Sequence, residues 1–310
     1  MIDVIIPAYN SHSTIDRTLY SIAYQDIVDR LNVYIINDCS NEDYSKQIDF
    51  FKNFMKIKEL KLDKNSGPGV ARKYGINNSS SEYIVFIDSD DAFYDCFSIS
   101  RLYNKISANR LDVVIGNFVE EIDNSFYNHE KDTIWLHGKI YRRSFLVDND
   151  INFNDSRLNE DNGFNQLVFL SNSKVDFLNN NVYIWSNNKN SITRKDDNLF
   201  ELLLGYIYNI TWALDLAIER KYDMAKISEL SFSALVAIYC HYLRFNDLDK
   251  CKLILKETKK LKCISDRYPT TNKLKILYSQ LSFVGDSIED KKFFNSDITF
   301  DKFLSMVDDI

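Results

Sequence analysis

Short apolar runs alternate with helix-period segments through the first half of the chain. Val4-Ile5-Ile6 and Val33-Tyr34-Ile35-Ile36 are short and apolar throughout, and read as strands covered on both faces. Between them, 13–24 sets Ile15, Leu19 and Ile22 on one helical face. The alternation continues with a helix over about 42–55, a strand over 57–62, a helix over 70–77 and a strand over 84–87. A further strand is expected at 113–117, a polar excursion of strand and loop over 118–135, helices at 143–147 and 162–170, and a strand at 182–185. Strands separated by helices of this length form βαβ units. The expectation is an α/β fold with a mostly parallel sheet flanked by helices.

The texture changes near residue 198. Leu199, Leu202, Leu203, Tyr206, Ile210 and Leu214 recur at helical spacing, as do Ile227, Leu230, Ala234, Leu235 and Ile238. The pattern returns over 248–261 and 274–283, and no comparable strand signal follows. Two domains are expected: 1–197 with the chemistry, and an all-helical 198–310. In the helical part no acidic pair follows a strand signal, and no Gly-rich loop or metal spacing occurs. Its apolar faces call for packing against each other; recognition of a large acceptor, or a homodimer, is the functional alternative.

Composition narrows the classes. The 310 residues carry a net charge of −7 and no visible basic stripe, which argues against a nucleic-acid surface. The five cysteines are scattered and include no C-x-x-C pair, so neither a zinc site nor a disulfide framework is supported. No basic region precedes an apolar core at the start, and the apolar stretch 230–243 is too short and polar to span a bilayer. A soluble cytoplasmic protein is expected.

The candidate chemistry lies where strand signals end. Tyr83-Ile84-Val85-Phe86-Ile87 runs into Asp88-Ser89-Asp90-Asp91. Ligands of open α/β sheets bind outside the carboxyl ends of the strands. In extended geometry Asp88 and Asp90 point the same way. Two hard oxygen donors there suit Mg²⁺ or Mn²⁺ carrying a diphosphate. The plain alternative is a solvated acidic turn capping the next helix.

Two further strand ends point to the same edge. Pro7, Ala8 and Tyr9 close the first strand, where Tyr9 can lie against a planar ring. Asp38 closes the second, as an acceptor for a uracil imide N–H or as a helix N-cap. The loop from Asn65 through Gly67-Pro68-Gly69 to Arg72 puts two of only eight glycines before a helix, where anions are favoured, or is a plain connecting turn. Glu160-Asp161 opens an apolar-periodic helix, as a general base or as a first turn complementing the helix dipole.

Taken together, in this order and spacing, these segments resemble the family 2 glycosyltransferases of the GT-A fold over about residues 1–190. Ile6-Pro7-Ala8-Tyr9-Asn10 resembles the family's opening strand, Asn37-Asp38-Cys39-Ser40 its Asp-Asp-Gly-Ser turn, and 65–75 its Gly-rich, Ala-Arg loop. Asp88-Ser89-Asp90 matches the DxD motif and Glu160-Asp161 the ED motif.

The resemblance implies a nucleotide sugar, UDP-linked, as donor, with Pro7, Ala8, Tyr9, Asp38, Asn65 and Arg72 around the nucleotide. Asp88 and Ser89 would contact ribose or donor sugar. Asp90 would ligate Mn²⁺ or Mg²⁺, and Asp161 would deprotonate the acceptor hydroxyl. His137, Lys139 and Glu160 would lie on the acceptor or phosphate side. The acceptor would be a glycan, a glycoprotein or a lipid-linked species.

Asn37 and Cys39 depart from the family's acid and glycine, and Lys73 from its frequent asparagine. No Gln-x-x-Arg-Trp of processive synthases follows Asp161, so a single inverting transfer per encounter is implied. A non-catalytic nucleotide-sugar-binding module is the rival reading. A nucleotidyltransferase fits the Pro-Ala-Tyr-Asn opening and Asp161 poorly.

Overall fold

The computed structural model describes residues 1–123, 125–186, 188, 198–273, 276, 294–295 and 297–310. The chain divides into two compact units, 1–169 with 173–191, and 170–172 with 192–310.

In the first unit the strands are β1 (Ile2–Ala8), β2 (Leu31–Asn37), β3 (Lys56–Lys61), β4 (Tyr83–Phe86), β5 (Ala92–Phe93), β6 (Val113–Ile122), β7 (Ser125–His129), β8 (Lys139–Arg142) and β9 (Val175–Trp185). Its helices are α1 (Ile15–Ala23), α2 (Ser45–Phe51), α3 (Pro68–Asn78), α4 (Ser98–Asn109), α5 (Arg143–Asp148) and α6 (Glu160–Leu170). One sheet runs β3-β2-β1-β4-β8-β6-β9-β5, with β7 on β6. The β3-β2-β1-β4 half is parallel, as its βαβ connections require. Beyond it β8 enters antiparallel to both β4 and β6, and β6 pairs parallel with β9.

Every residue of β1 and β4 is buried, because both faces of this half are covered. α1 packs Ile15, Leu19 and Ile22 inward, each such burial stabilising by about 1.5–3 kcal/mol. α3 lies close on β1: a Cβ added to Gly75 would come within 2.5 Å of Ile5 Cγ2. β3 is the edge strand and exposes Lys56, Lys58 and Lys61, a charge pattern that discourages edge-to-edge pairing. The excursion after residue 117 is the continuation of β6 into a hairpin with β7. Its polar Glu120 and Glu121 hide the strand in the sequence, because this end is only partly covered.

The second unit contains α7 (Leu199–Glu219), α8 (Met224–Tyr242), α9 (Leu248–Arg267) and α10 (Phe300–Asp308). Leu203, Ile210 and Leu214 of α7, Ile227 and Ile238 of α8, Ile254 and Leu261 of α9 and Phe303 of α10 share one core. Asp223, Asp247 and Thr299 cap α8, α9 and α10 through side-chain acceptors, which satisfies first-turn N–H groups. The helix expected over 274–283 lies outside the described residues, apart from residue 276, and so do residues 189–197, into which the expected boundary falls.

Candidate active site

β4 stops at Phe86, two residues before the acidic cluster. Asp91 N–H closes a turn on Asp88 O at 3.1 Å, so the extended alternation expected for Asp88 and Asp90 gives way to a turn. The turn is pinned from two sides. Thr18 Oγ1 on α1 donates to Asp91 O at 2.7 Å. Tyr183 on β9 donates its hydroxyl to Asp91 Oδ2 at 2.6 Å and accepts Asp88 N–H at 3.3 Å.

Asp91 is buried, and Ser186 N–H reaches its Oδ1 at 2.8 Å. Burial, with Asp90 and Asp88 beside it, pushes its carboxyl well above the usual range. Ser89 meets Ser11 at 2.7 Å, and Asp90 Oδ2 accepts from Asn188 Nδ2 at 2.6 Å.

Arg72 rises from the first turns of α3, buried against Phe153, whose ring centroid lies 5.7 Å from the guanidinium. Its Nη2 is 2.6 Å from Asp88 Oδ1 and its Nη1 is 2.6 Å from Glu160 Oε1. Its charge therefore joins the turn at Asp88 to α6. Burial alone would lower its pKa; Asp88, Glu160 and Asp161 together raise it, so the cation persists. Asp88 is held below the usual carboxylate range: burial raises it, and the Arg72 cation overcomes that.

Asp161 stands next to Glu160 on the first turn of α6 and accepts Asn162 N–H at 2.8 Å. Burial and the Glu160 charge raise its carboxyl to about 7, against the pull of Arg72. A carboxylate tuned to neutral pH suits proton abstraction.

At the second strand end, Asp38 is buried and takes Ser66 N–H and Gly67 N–H at 2.7 Å each. It therefore caps the loop entering α3, and no residue near Glu42. That loop needs glycine, since Gly67 has φ +94°. Asn65 donates to Asp38 O at 3.4 Å and is itself held by Arg157, through its side chain at 2.7 Å and its carbonyl at 2.8 Å. Pro7 and Ala8 are buried in β1, whereas Tyr9 is exposed and free to meet a ring.

His137 and Lys139 are buried. Lys139 donates to Trp135 O, and burial brings its ammonium down to about 8 against the pull of Asp132 and Asp161. His137 stacks on Tyr183 at 4.8 Å, and burial lowers it to about 3, so it is neutral. Its Nδ1 is buried with no hydrogen-bond partner.

Asp88, Asp91 and His137 bring ligand atoms within 4.8 Å of one another. Donors on one cation stand up to about twice a ~2.1 Å bond apart, so little adjustment closes the set. Two carboxylates and an imidazole, whose Nε2 lies 4.0 Å from Asp91 Oδ2, fit a divalent cation, Mn²⁺ better than Mg²⁺. Asp90 lies outside this trio, beside it in sequence and engaged by Asn188.

Three residues of this arrangement escaped the sequence reading. Asp91 was visible only as a third acid. Tyr183 sat unmarked in a strand pattern, and Arg157 carried no signal beyond its position just ahead of Glu160.

The sequence profile described as glycosyl transferase family 2 matches residues 3–158. The chain belongs to this family. It is similar to the glycosyltransferase GlyA of Streptococcus pneumoniae, 30% identical over 223 residues, which are 62% of this chain and 31% of GlyA. The chain thus spans about a third of that relative's length.

Among solved structures, S. aureus TarS 1–349 in complex with UDP-GlcNAc superposes with a TM-score of 0.68 at 19% identity, covering 96% of this chain and 94% of that one. The mannosyltransferase PcManGT of Pyrobaculum calidifontis, in complex with GDP-Man and Mn²⁺, gives 0.57 at 13% identity, covering 99% and 85%. At these identities the likeness is one of fold. It is the expected GT-A-like α/β sheet followed by helices.

Proposed function

We propose that the chain transfers a single sugar, with inversion, from a UDP-linked donor to an acceptor hydroxyl on a glycan, glycoprotein or lipid-linked species. The observation that carries this reading is Asp161, raised to about 7 and tied through Glu160 and Arg72 to the Asp88 turn. A base and a diphosphate-binding carboxylate cluster are thereby fixed in one network. UDP as the nucleotide is supported by the UDP-GlcNAc complex of TarS.

Asp161 takes the proton from the acceptor hydroxyl. The acceptor oxygen forms a bond to the anomeric carbon as the bond from that carbon to the diphosphate oxygen breaks, and the electron pair leaves with UDP. A divalent cation held by the Asp88–Asp91 turn would neutralise charge on the departing diphosphate. Asp90 is assigned as its ligand, with Asp88, Asp91 and His137 beside it. Arg72 stays charged and keeps Asp88 ionised toward that cation. Tyr9, Asp38 and Asn65, with Pro7 and Ala8 behind them, border the nucleotide; Asp88 and Ser89 face the ribose or donor sugar. The helical unit is assigned acceptor recognition or self-association.

Melting-temperature shifts with a panel of nucleotide sugars, with and without Mn²⁺, followed by UDP release from each stabilising donor, test the reading. Stabilisation with slow, metal-dependent UDP release supports transfer. Stabilisation without turnover, with any acceptor offered, favours a binding module. Absence of stabilisation by every UDP-sugar overturns the donor assignment.

A further inference from the structure

Asn165 stands one helical turn after Asp161 on α6, so the two share a face of that helix. Its side chain is fully buried, and both of its N–H donors are used. Nδ2 donates to Ile134 O at 2.8 Å and to Trp135 O at 3.0 Å, and Oδ1 accepts the Tyr141 hydroxyl at 2.7 Å. A flipped amide would set its oxygen against the two carbonyl oxygens, so the partners fix its orientation.

These three partners bracket His137. Ile134 and Trp135 precede it on the loop entering β8, and Tyr141 follows it within β8. Buried Lys139 donates to the same Trp135 carbonyl, so that carbonyl is held twice. Core filling does not explain an amide at this position. Its burial costs desolvation, and an apolar side chain could fill the space without that cost. What directed bonds add is one fixed arrangement of α6 against the segment 134–141.

Two bridges on α6 then flank Asp161. Glu160, just before it, runs through Arg72 to Asp88. Asn165, one turn beyond it, runs to the segment that puts His137 Nε2 4.0 Å from Asp91 Oδ2. A helix held at one point can pivot about that point; held on both sides of Asp161, it is fixed in direction as well.

We propose that Asn165 is a positioning residue for the transfer reaction, holding Asp161 at a set distance from the carboxylate–imidazole cluster where the diphosphate departs. Being buried, it acts through Asp161 and His137 and not on the substrate. The inference rests on the glycosyl-transfer reading and deepens it.

UDP release tests it, measured with Mn²⁺, water as acceptor and a UDP-sugar that stabilises the wild type, with UDP sites counted by calorimetry. Asn165→Leu should lower kcat per UDP site by roughly 10- to 100-fold, the scale of a displacement of about 1 Å, with KM for the donor within about twofold. Tyr141→Phe removes one of the three bonds and should lower kcat less, in the same direction. Ser81→Ala loses a buried 2.6 Å bond to Asp3 at the opposite end of β1, and should melt lower with kcat unchanged. Unchanged kcat per site in Asn165→Leu overturns the proposal, as does an equal fall in Ser81→Ala, which would make the effect one of stability. Where Asn165→Leu does not fold, an unchanged kcat in Tyr141→Phe overturns it. A wild type that binds donors without turnover removes the transfer reading and this inference together; one that turns over no faster than Asn165→Leu removes this inference alone.

Discussion

Arg72 and Glu160, 88 residues apart in sequence, meet at 2.6 Å with side chains only 6% and 7% exposed. The other guanidinium nitrogen holds Asp88, which is 36% exposed, at the same distance. One cation thus ties the turn after β4 to the first turn of α6. The neighbouring Asp161 takes its position from that tie.

Removing the cation leaves Glu160 charged and dry. Arg72→Ala should destabilise by about 3–5 kcal/mol, most of it from the Glu160 side, because water screens the Asp88 pair. Arg72→Lys restores the charge without the fork that reaches two carboxylates, and should recover only part of the loss. Urea unfolding of both variants measures this. A cost under about 1 kcal/mol for Arg72→Ala would mean that Glu160 simply protonates when released.

Asp161 gives a pH signature in two observables. Its folded pKa is raised from 3.8 to about 7, so the base form fills as pH rises through 7. Transfer should climb through that pH and level off above it. Asp161→Asn should lower transfer by roughly 10²-fold or more with UDP affinity retained.

Stability runs the other way. Between about pH 4 and 7 the folded state binds this proton more tightly than the unfolded state does, so the group's contribution falls as pH rises. Asp161→Asn should therefore melt higher than wild type at pH 8 and match it near pH 4. A pH–rate profile flat across 7, or an unshifted melting temperature, would remove Asp161 from the base role.

Much of this site was legible because its parts sit at ends of well-marked elements. Within β1, β2 and β4 the runs 4–6, 33–36 and 83–86 are apolar because both faces of the parallel half are covered, and the acids that follow them stand out. Partner choice was not legible. Nothing in the spacing of Arg72 says that it pairs with Asp88 and Glu160, because its partners lie 16 and 88 residues away on other elements. β8 escaped for a different reason. Lys-Ile-Tyr-Arg is four residues long with two cations, too short for a periodic signal, yet it slots between β4 and β6 and brings His137 beside Asp91.

The acidic turn separates ligand from scaffold. Asp90 is only partly covered, so Asp90→Ala should abolish the Mn²⁺-dependent part of UDP affinity and leave the metal-free melting temperature within a degree or so. Calorimetric titration of UDP with and without Mn²⁺ decides it. Unchanged affinity under both conditions would shift the cation to Asp88, Asp91 and His137, whose ligand atoms already converge. His137→Gln would then be the variant that loses Mn²⁺.

Tyr183 supplies the clearest test of how the turn is held. Its hydroxyl donates to buried Asp91 at 2.6 Å and accepts the Asp88 N–H at 3.3 Å, so one oxygen bridges both sides of the turn. Tyr183→Phe keeps the ring against His137 and Phe93 but leaves an acceptor and a donor without that partner. The cost should be about 1–3 kcal/mol, read by urea unfolding. The functional effect should fall mainly on the donor: KM for the nucleotide sugar rises as the Asp88–Asp91 turn loosens, while the pH–rate midpoint near 7 stays with Asp161. A shifted midpoint with an unchanged KM would show that Tyr183 acts on the base and not on the turn.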